Sequence, residues 1–422
     1  MLNYLILFVS LMDKLPIDLI QYCIFDKLNF LTQIRFRQIC KWLNRCKIHN
    51  VYYNINYIYL YILSDKILIN HPNLRYLYAS DNPKITNVSN MTNLKILNAS
   101  GYYCGLDDNA IKNLNLIELN ASDNPKITNV NHMTNLKILD ASSYECGIDD
   151  NGIKNLNLIQ LCAFNNPNIK NVNHMTKLQI LYASGYNCGI DDNGIKDLNL
   201  IELDVSSNQK ITNVSHMTNL QILNASSYYC GIDDNGIKNL NLTKLNAMNN
   251  PKVTNVNHMT KLHILDASGN CGIDDNGIRN INLIELNISH NLRIKTINHM
   301  TNLKTLDASD YYSLIDDNDI KDLNLIELNA YNNPKITNVN HMTNLQILNA
   351  ADLMCGIDDN GIKDINLIKL NASDNRKIKN INHMTKLQIL DASYECGIDD
   401  NSIKDLNLIE LHAYNNPNIT KK

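Results

Sequence analysis

The sequence predicts an α/β solenoid, in which short parallel strands stack turn upon turn into one sheet behind a small helical module. Three observations carry this. Anchor leucines recur from Leu74 to Leu408 in alternating steps of roughly 20 and 22 residues, a super-period of about 42. From each anchor the pattern runs Leu-x-x-Leu-x-Ala, with Ala usually but not always in the last place, as in Leu116, Leu119 and Ala121 or Leu136, Leu139 and Ala141. Ahead of this ladder, residues 15–45 are apolar at helical rather than alternating spacing.

Four segments follow in order. Residues 1–11 look at first like a signal peptide, but lack a basic start and a small-residue cleavage site. They are expected to be an unstructured or non-native extension, with Met12 a second candidate start. Residues 12–46 read as two or three short helices: Leu19, Ile20, Ile24, Phe25 and Leu28 share one stripe, Ile34, Ile39, Trp42 and Leu43 the next. Pro16 suits a first helical turn. Residues 47–71 form a Tyr/Ile-rich connector expected to cap the solenoid, and residues 72–420 hold about seventeen repeats.

The repeat explains itself through period-2 alternation. Leu119 and Ala121 point to one side of a strand, and Glu118, Asn120 and Ser122 to the other. Stacking makes the first side a continuous core and the second an extended concave surface. No unit buries enough by itself, which is why units come in arrays. Two unit types alternate. One carries an asparagine eight residues past its anchor, at 82, 124, 166, 208, 250, 291, 333, 375 and 416, placed to turn inward and satisfy backbone groups. The other usually has Tyr there, Cys two places on, then a run such as "CGIDDNGIKNL".

That run invites a metal-site or catalytic reading, and geometry opposes it. Asp149 precedes Ile153 and Leu156 at helical spacing, so its carboxylate is placed to cap a short helix. Asp107, Asp191, Asp233, Asp274, Asp316, Asp358 and Asp399 are equivalents. A calcium loop needs more converging oxygens than so short a turn offers. Equivalent residues sit two strands apart, about 9–10 Å, too far for a disulfide or a shared zinc ion. Cys104, Cys146, Cys188 and Cys230 are therefore expected in the core, and His132, His174, His216, His258, His299, His341 and His383 on the convex surface. No catalytic residue, metal or cofactor is expected.

Composition narrows the class further. A net charge of −4 over 422 residues, with no block of like charge beyond Lys421–Lys422, argues against nucleic-acid binding. No segment reaches transmembrane length, so no membrane partner is expected. Eleven cysteines, and acceptor-type asparagines at 98, 120, 224 and 371 on the strands, fit an intracellular, cytoplasmic or nuclear protein with free thiols. The Asn/Ile/Lys/Tyr bias reads as an AT-rich coding genome, as in large DNA viruses or some protists; a viral protein would act in the host cell.

The repeats resemble the cysteine-containing leucine-rich repeats of F-box proteins over residues of about 72–420. The front module is similar to an F-box, matching at Leu15, Pro16, Asp18, Leu19, Ile20, Ile24, Phe25, Leu28, Leu31, Ile39, Cys40, Lys41 and Trp42. Asp18 replaces the usual Glu, and Trp42 comes one residue early. The resemblance implies a non-enzymatic adaptor of a cullin–RING ubiquitin ligase. Leu15, Pro16, Leu19, Ile20, Ile24, Phe25, Ile39 and Trp42 would dock a Skp-family partner, and the repeats would hold a protein substrate. The alternative is a leucine-rich-repeat scaffold with no ligase link, its front helices only a cap.

Substrate contacts are expected on the concave face. There Phe164, Met248, Tyr331 and Tyr414 interrupt a row of small residues, and Glu118 and Glu202 alternate with Ile. Large side chains in place of small ones are what binding hot spots favour.

Overall fold

The computed structural model describes residues 50–51 and 63–420. The front module at 12–46, the extension at 1–11 and most of the connector lie outside the described residues. So do all eight adaptor-docking candidates, from Leu15 to Trp42.

The fold is a leucine-rich-repeat solenoid of parallel strands, divided into two compact units at Leu200/Ile201. In the first unit, β1 (Asn50–Val51) pairs with β2 (Tyr76–Tyr78). There follow β3 (Ile96–Asn98), β4 (Glu118–Asn120), β5 (Ile138–Asp140), β6 (Gln160–Cys162) and β7 (Ile180–Tyr182). Their register is unshifted, with Leu77, Leu97, Leu119, Leu139, Leu161 and Leu181 opposite one another. The second unit repeats this through eleven strands, from β8 (Glu202–Asp204) to β18 (Glu410–His412).

The alternation predicted for each strand is what is seen. Leu139 and Ala141 are fully buried while Ile138 and Asp140 are half-buried. A three-residue strand cannot stand alone, and stability comes from each turn covering the next. The same core takes Val130 and Met133, on either side of Asn131 and His132.

Three polar ladders stitch the turns together. The predicted asparagine ladder is buried, 0–4% exposed along its length. In the first unit Asn166 Nδ2 donates to the carbonyls of Ala141 (2.7 Å) and Ile148 (3.1 Å), while its Oδ1 accepts from the amides of Asn168 (2.8 Å) and Ile169 (3.2 Å). In the second, Asn250 and Asn375 make the same pair of donations.

The aspartate pair divides its labour. Asp149 caps the four-residue helix Asp150–Ile153 by accepting from Gly152 N at 2.9 Å. Asp316 caps its helix with Asp319 reaching back to complete a capping box. The second aspartate reaches across to the following turn. Asp108 accepts from the Thr128 amide (2.8 Å) and hydroxyl (2.6 Å), and Asp150 from the amides of Lys170 (2.7 Å) and Asn171 (3.1 Å).

The histidines form the third ladder. They were expected as surface residues, and His132 is exposed, yet it is engaged: its Nε2 donates to the Ile111 carbonyl at 3.2 Å. That carbonyl ends the preceding helix, a group otherwise left without an intrahelical partner. His258, His299, His341 and His383 repeat the bond in the second unit.

The turn between strand and asparagine holds a feature not read from the sequence. Asp81, Asp123 and Asn165 in the first unit, and Ser207, Asn249, His290, Asn332, Asp374 and Asn415 in the second, have φ between 51° and 59°. Small polar side chains tolerate this left-handed conformation best. One glycine is equally constrained: a Cβ at Gly147 would lie 2.6 Å from the Pro125 carbonyl oxygen and 2.9 Å from that of Ile127.

Candidate binding face

The outward side of the strands carries three rows. The first alternates aliphatic with polar, so that Glu118 lies between Ile96 and Ile138. The second is the Asn/Asp row, and most of its side chains are already engaged. Asn120 Oδ1 accepts from Ser122 N at 2.9 Å, Asp140 Oδ1 from Ser142 N at 3.0 Å, and Asn246, Asp266 and Asn329 do likewise in the second unit. Each bends its own strand end through an Asx turn, the local competition that favours these residues there. This row therefore has less to offer a partner than its composition implies.

The third row is where the four large candidates stand. Phe164 is 45% exposed in the first unit; Met248, Tyr331 and Tyr414 are 39%, 44% and 65% exposed in the second. Within the second unit they do not form one patch. Met248 follows β10 (Lys244–Asn246) and Tyr331 follows β14 (Glu327–Asn329), four strands apart and so about 19 Å. Glu118 and Glu202 are half-buried in the first row.

Each anchor has its own surroundings. Phe164 sits where the Asn/Asp row breaks, since Cys162 and Tyr182 stand in register beside Asp140. This makes a local apolar stretch on a polar face. Cys162 and Tyr182 escaped the sequence reading, although aligning the repeats exposes both as departures from Asn/Asp. Partial burial, then the Asp352 carboxylate beside its hydroxyl, holds Tyr331 above the usual tyrosine range. Tyr414 meets Tyr394 edge-on at 5.7 Å, next to a His412 Nε2–Glu410 Oε1 contact of 2.6 Å.

The tyrosines preceding the cysteines are a further outward row that the sequence reading placed but did not interpret. Tyr102, Tyr103, Tyr144 and Tyr186 in the first unit are 52–70% exposed.

Cysteine chemistry separates sharply by position. Among the described residues eight cysteines are free, and all but Cys162 are buried. Burial pushes the Cys146 thiol up to about 12, and burial with the Asp140 charge pushes Cys162 up to about 11. The thiolate is the reactive form, so neither of these two is an activated nucleophile. Brief alkylation of the native protein with peptide mapping is expected to mark Cys162 at least about tenfold faster than Cys146 or Cys230, because access decides between similarly weak thiols. Equal labelling would contradict this packing.

Among the described residues no group of three or more His, Cys, Asp or Glu side chains could hold a metal ion. No helix there is long and apolar enough to cross a membrane.

No protein-family model matches the chain, and no curated protein matches it in sequence. Solved structures give likenesses of low identity. The chain is similar to TLR13 in its complex with ssRNA13 (17% identity, 89% of this chain and 56% of that one, TM-score 0.43). It is also similar to the Leptospira interrogans LRR protein LIC12759 (17%, 85% and 88%, TM-score 0.36) and to a Listeria monocytogenes internalin (16%, 79% and 84%, TM-score 0.30). Likeness at this level carries no information about role.

Proposed function

We propose that this chain is a non-catalytic binding scaffold whose strand face holds a protein partner, and that its front module docks a Skp-family adaptor of a cullin–RING ubiquitin ligase. The observation that carries the first part is the exposure of Phe164, Met248, Tyr331 and Tyr414 where small residues otherwise repeat. A repeat that replaces a small side chain with an exposed aromatic or Met gains an anchor and gains nothing in core packing. The Asn, Asp and His ladders are spent on the scaffold itself, which leaves these departures as the distinctive surface.

The second part rests on the F-box resemblance of residues 15–42. One structural observation bears on its rival, the reading of these helices as a cap. The edge of β2 is already covered by Asn50–Val51, so residues 12–46 are not required to close the first repeat there. Catalysis would then belong to the partners.

One experiment tests both parts on the full chain. Phe164→Ala with Tyr331→Ala is expected to weaken partner capture severalfold while lowering the melting temperature by no more than a few degrees. Leu15→Ala with Pro16→Ala is expected to abolish co-purification with a Skp-family adaptor and leave partner capture intact. Undiminished capture by the first variant removes the strand-face reading, and undiminished adaptor binding by the second removes the F-box reading.

A further inference from the structure

We propose that the tyrosine row at the strand-end turns of the first unit binds a basic, proline-rich peptide in the polyproline II conformation. Tyr102, Tyr144 and Tyr186 each lie four residues past the last residue of β3, β5 and β7. Because those strands stack in unshifted register with one strand between each pair, the rings recur every two strands, about 9.4–9.8 Å. A polyproline II helix has three residues per turn at 3.1 Å each, a pitch of about 9.3 Å. The two periods differ by no more than about 0.5 Å per step, so every third residue of such a peptide would present the same face to successive tyrosines.

The turns are built alike, which keeps this period regular. Gly101, Ser143 and Gly185 precede the tyrosines with φ of 95°, 88° and 96°, and Cys104, Cys146 and Cys188 are buried just beyond them. Side chains of the preceding turn hold the backbone: Asp81 accepts from Tyr103 N at 3.4 Å, Asn165 from Asn187 N at 3.2 Å, and Asp123 from the Ser143 hydroxyl at 2.5 Å. At the first position Tyr102 and Tyr103 stand edge-to-face, centroids 5.4 Å apart, 54% and 70% exposed. A step of perpendicular exposed rings is the kind of surface on which proline rings dock, and a pre-formed extended peptide loses little entropy in docking.

Charge selects the ligand further. Asp81, Asp123 and Glu145 are exposed beside the row. They favour a peptide carrying Lys or Arg between its prolines. They oppose single-stranded nucleic acid, whose bases could otherwise stack on the same rings.

The test uses the full chain and a fluorescein-labelled nonapeptide, arginine-proline-proline-lysine-proline-proline-arginine-proline-proline, followed by anisotropy. Saturable binding is expected, with Tyr103→Ala plus Tyr144→Ala weakening it at least about tenfold at an unchanged melting temperature. Three outcomes would overturn the proposal: no saturation by about 1 mM peptide, equal binding by a peptide of the same charge with glycine and serine for proline, or undiminished binding by the double variant. Tighter binding of a nine-residue oligothymidylate than of the peptide would overturn it as well.

Discussion

Asn166→Ala is expected to destabilise the protein by about 3–5 kcal/mol, a large loss for a single polar side chain. Asn166 is fully buried, and its amide serves two carbonyls and two backbone amides at once. Alanine leaves all four without that partner in a place where each uncompensated group costs on the order of 1–3 kcal/mol. Some relaxation of the turn keeps the total below the simple sum. Asn113→Ala, at an exposed asparagine of the same unit, should stay within about 0.5 kcal/mol. Urea unfolding followed by circular dichroism reads both, and similar effects from the two substitutions would contradict the ladder.

Leu245→Ala is the second large effect, at about 2–5 kcal/mol, the cost of a cavity where a core leucine was. Leu245 is fully buried between Leu223 and Leu265, so one truncation loosens two turn-to-turn interfaces. In a solenoid stability is nearly a sum of neighbouring interfaces, which makes the pattern of additivity diagnostic. Leu370→Ala lies six strands on in the same unit, about 29 Å away, and its cost should add to that of Leu245→Ala. Leu265→Ala shares an interface with Leu245, and that pair should depart from additivity. Additive behaviour in both pairs would mean that the turns do not pack as described.

The sequence made the scaffold legible wherever a requirement recurs within one repeat. A buried leucine every turn, an asparagine that must face inward and an aspartate that caps the helix directly after it are local demands, and repetition amplifies each of them. What stayed hidden depends on partners a turn away. Asp150 bonds to Lys170 and Asn171, twenty residues on, and nothing beside it in the chain announces that. The His132 bond to Ile111 is likewise invisible until the turns are stacked. The left-handed corner is filled by Asp, Asn, Ser or His, a set that shares tolerance of positive φ and no other signature.

The candidate face was only partly legible for a related reason. Phe164 and Tyr331 stand out as departures from their row, but the engagement of the Asn/Asp row in Asx turns emerges only with the backbone. The tyrosines before the cysteines looked like part of the repeat's punctuation. Their exposure shows that the core does not require them.

The central claim is that the residues repeated in every turn hold the coil together, while the large residues that break the strand-face pattern meet the partner. Hydroxyl-radical footprinting of the chain with and without its captured partner tests this most directly, because Phe, Tyr and Met side chains oxidise readily when exposed. The account predicts protection of Phe164, Met248, Tyr331 and Tyr414 on capture, with oxidation elsewhere unchanged at His132 and His258. Protection confined to the Asp-Asn-Gly helices and the histidine ladder, with those four side chains still fully oxidised, would contradict it.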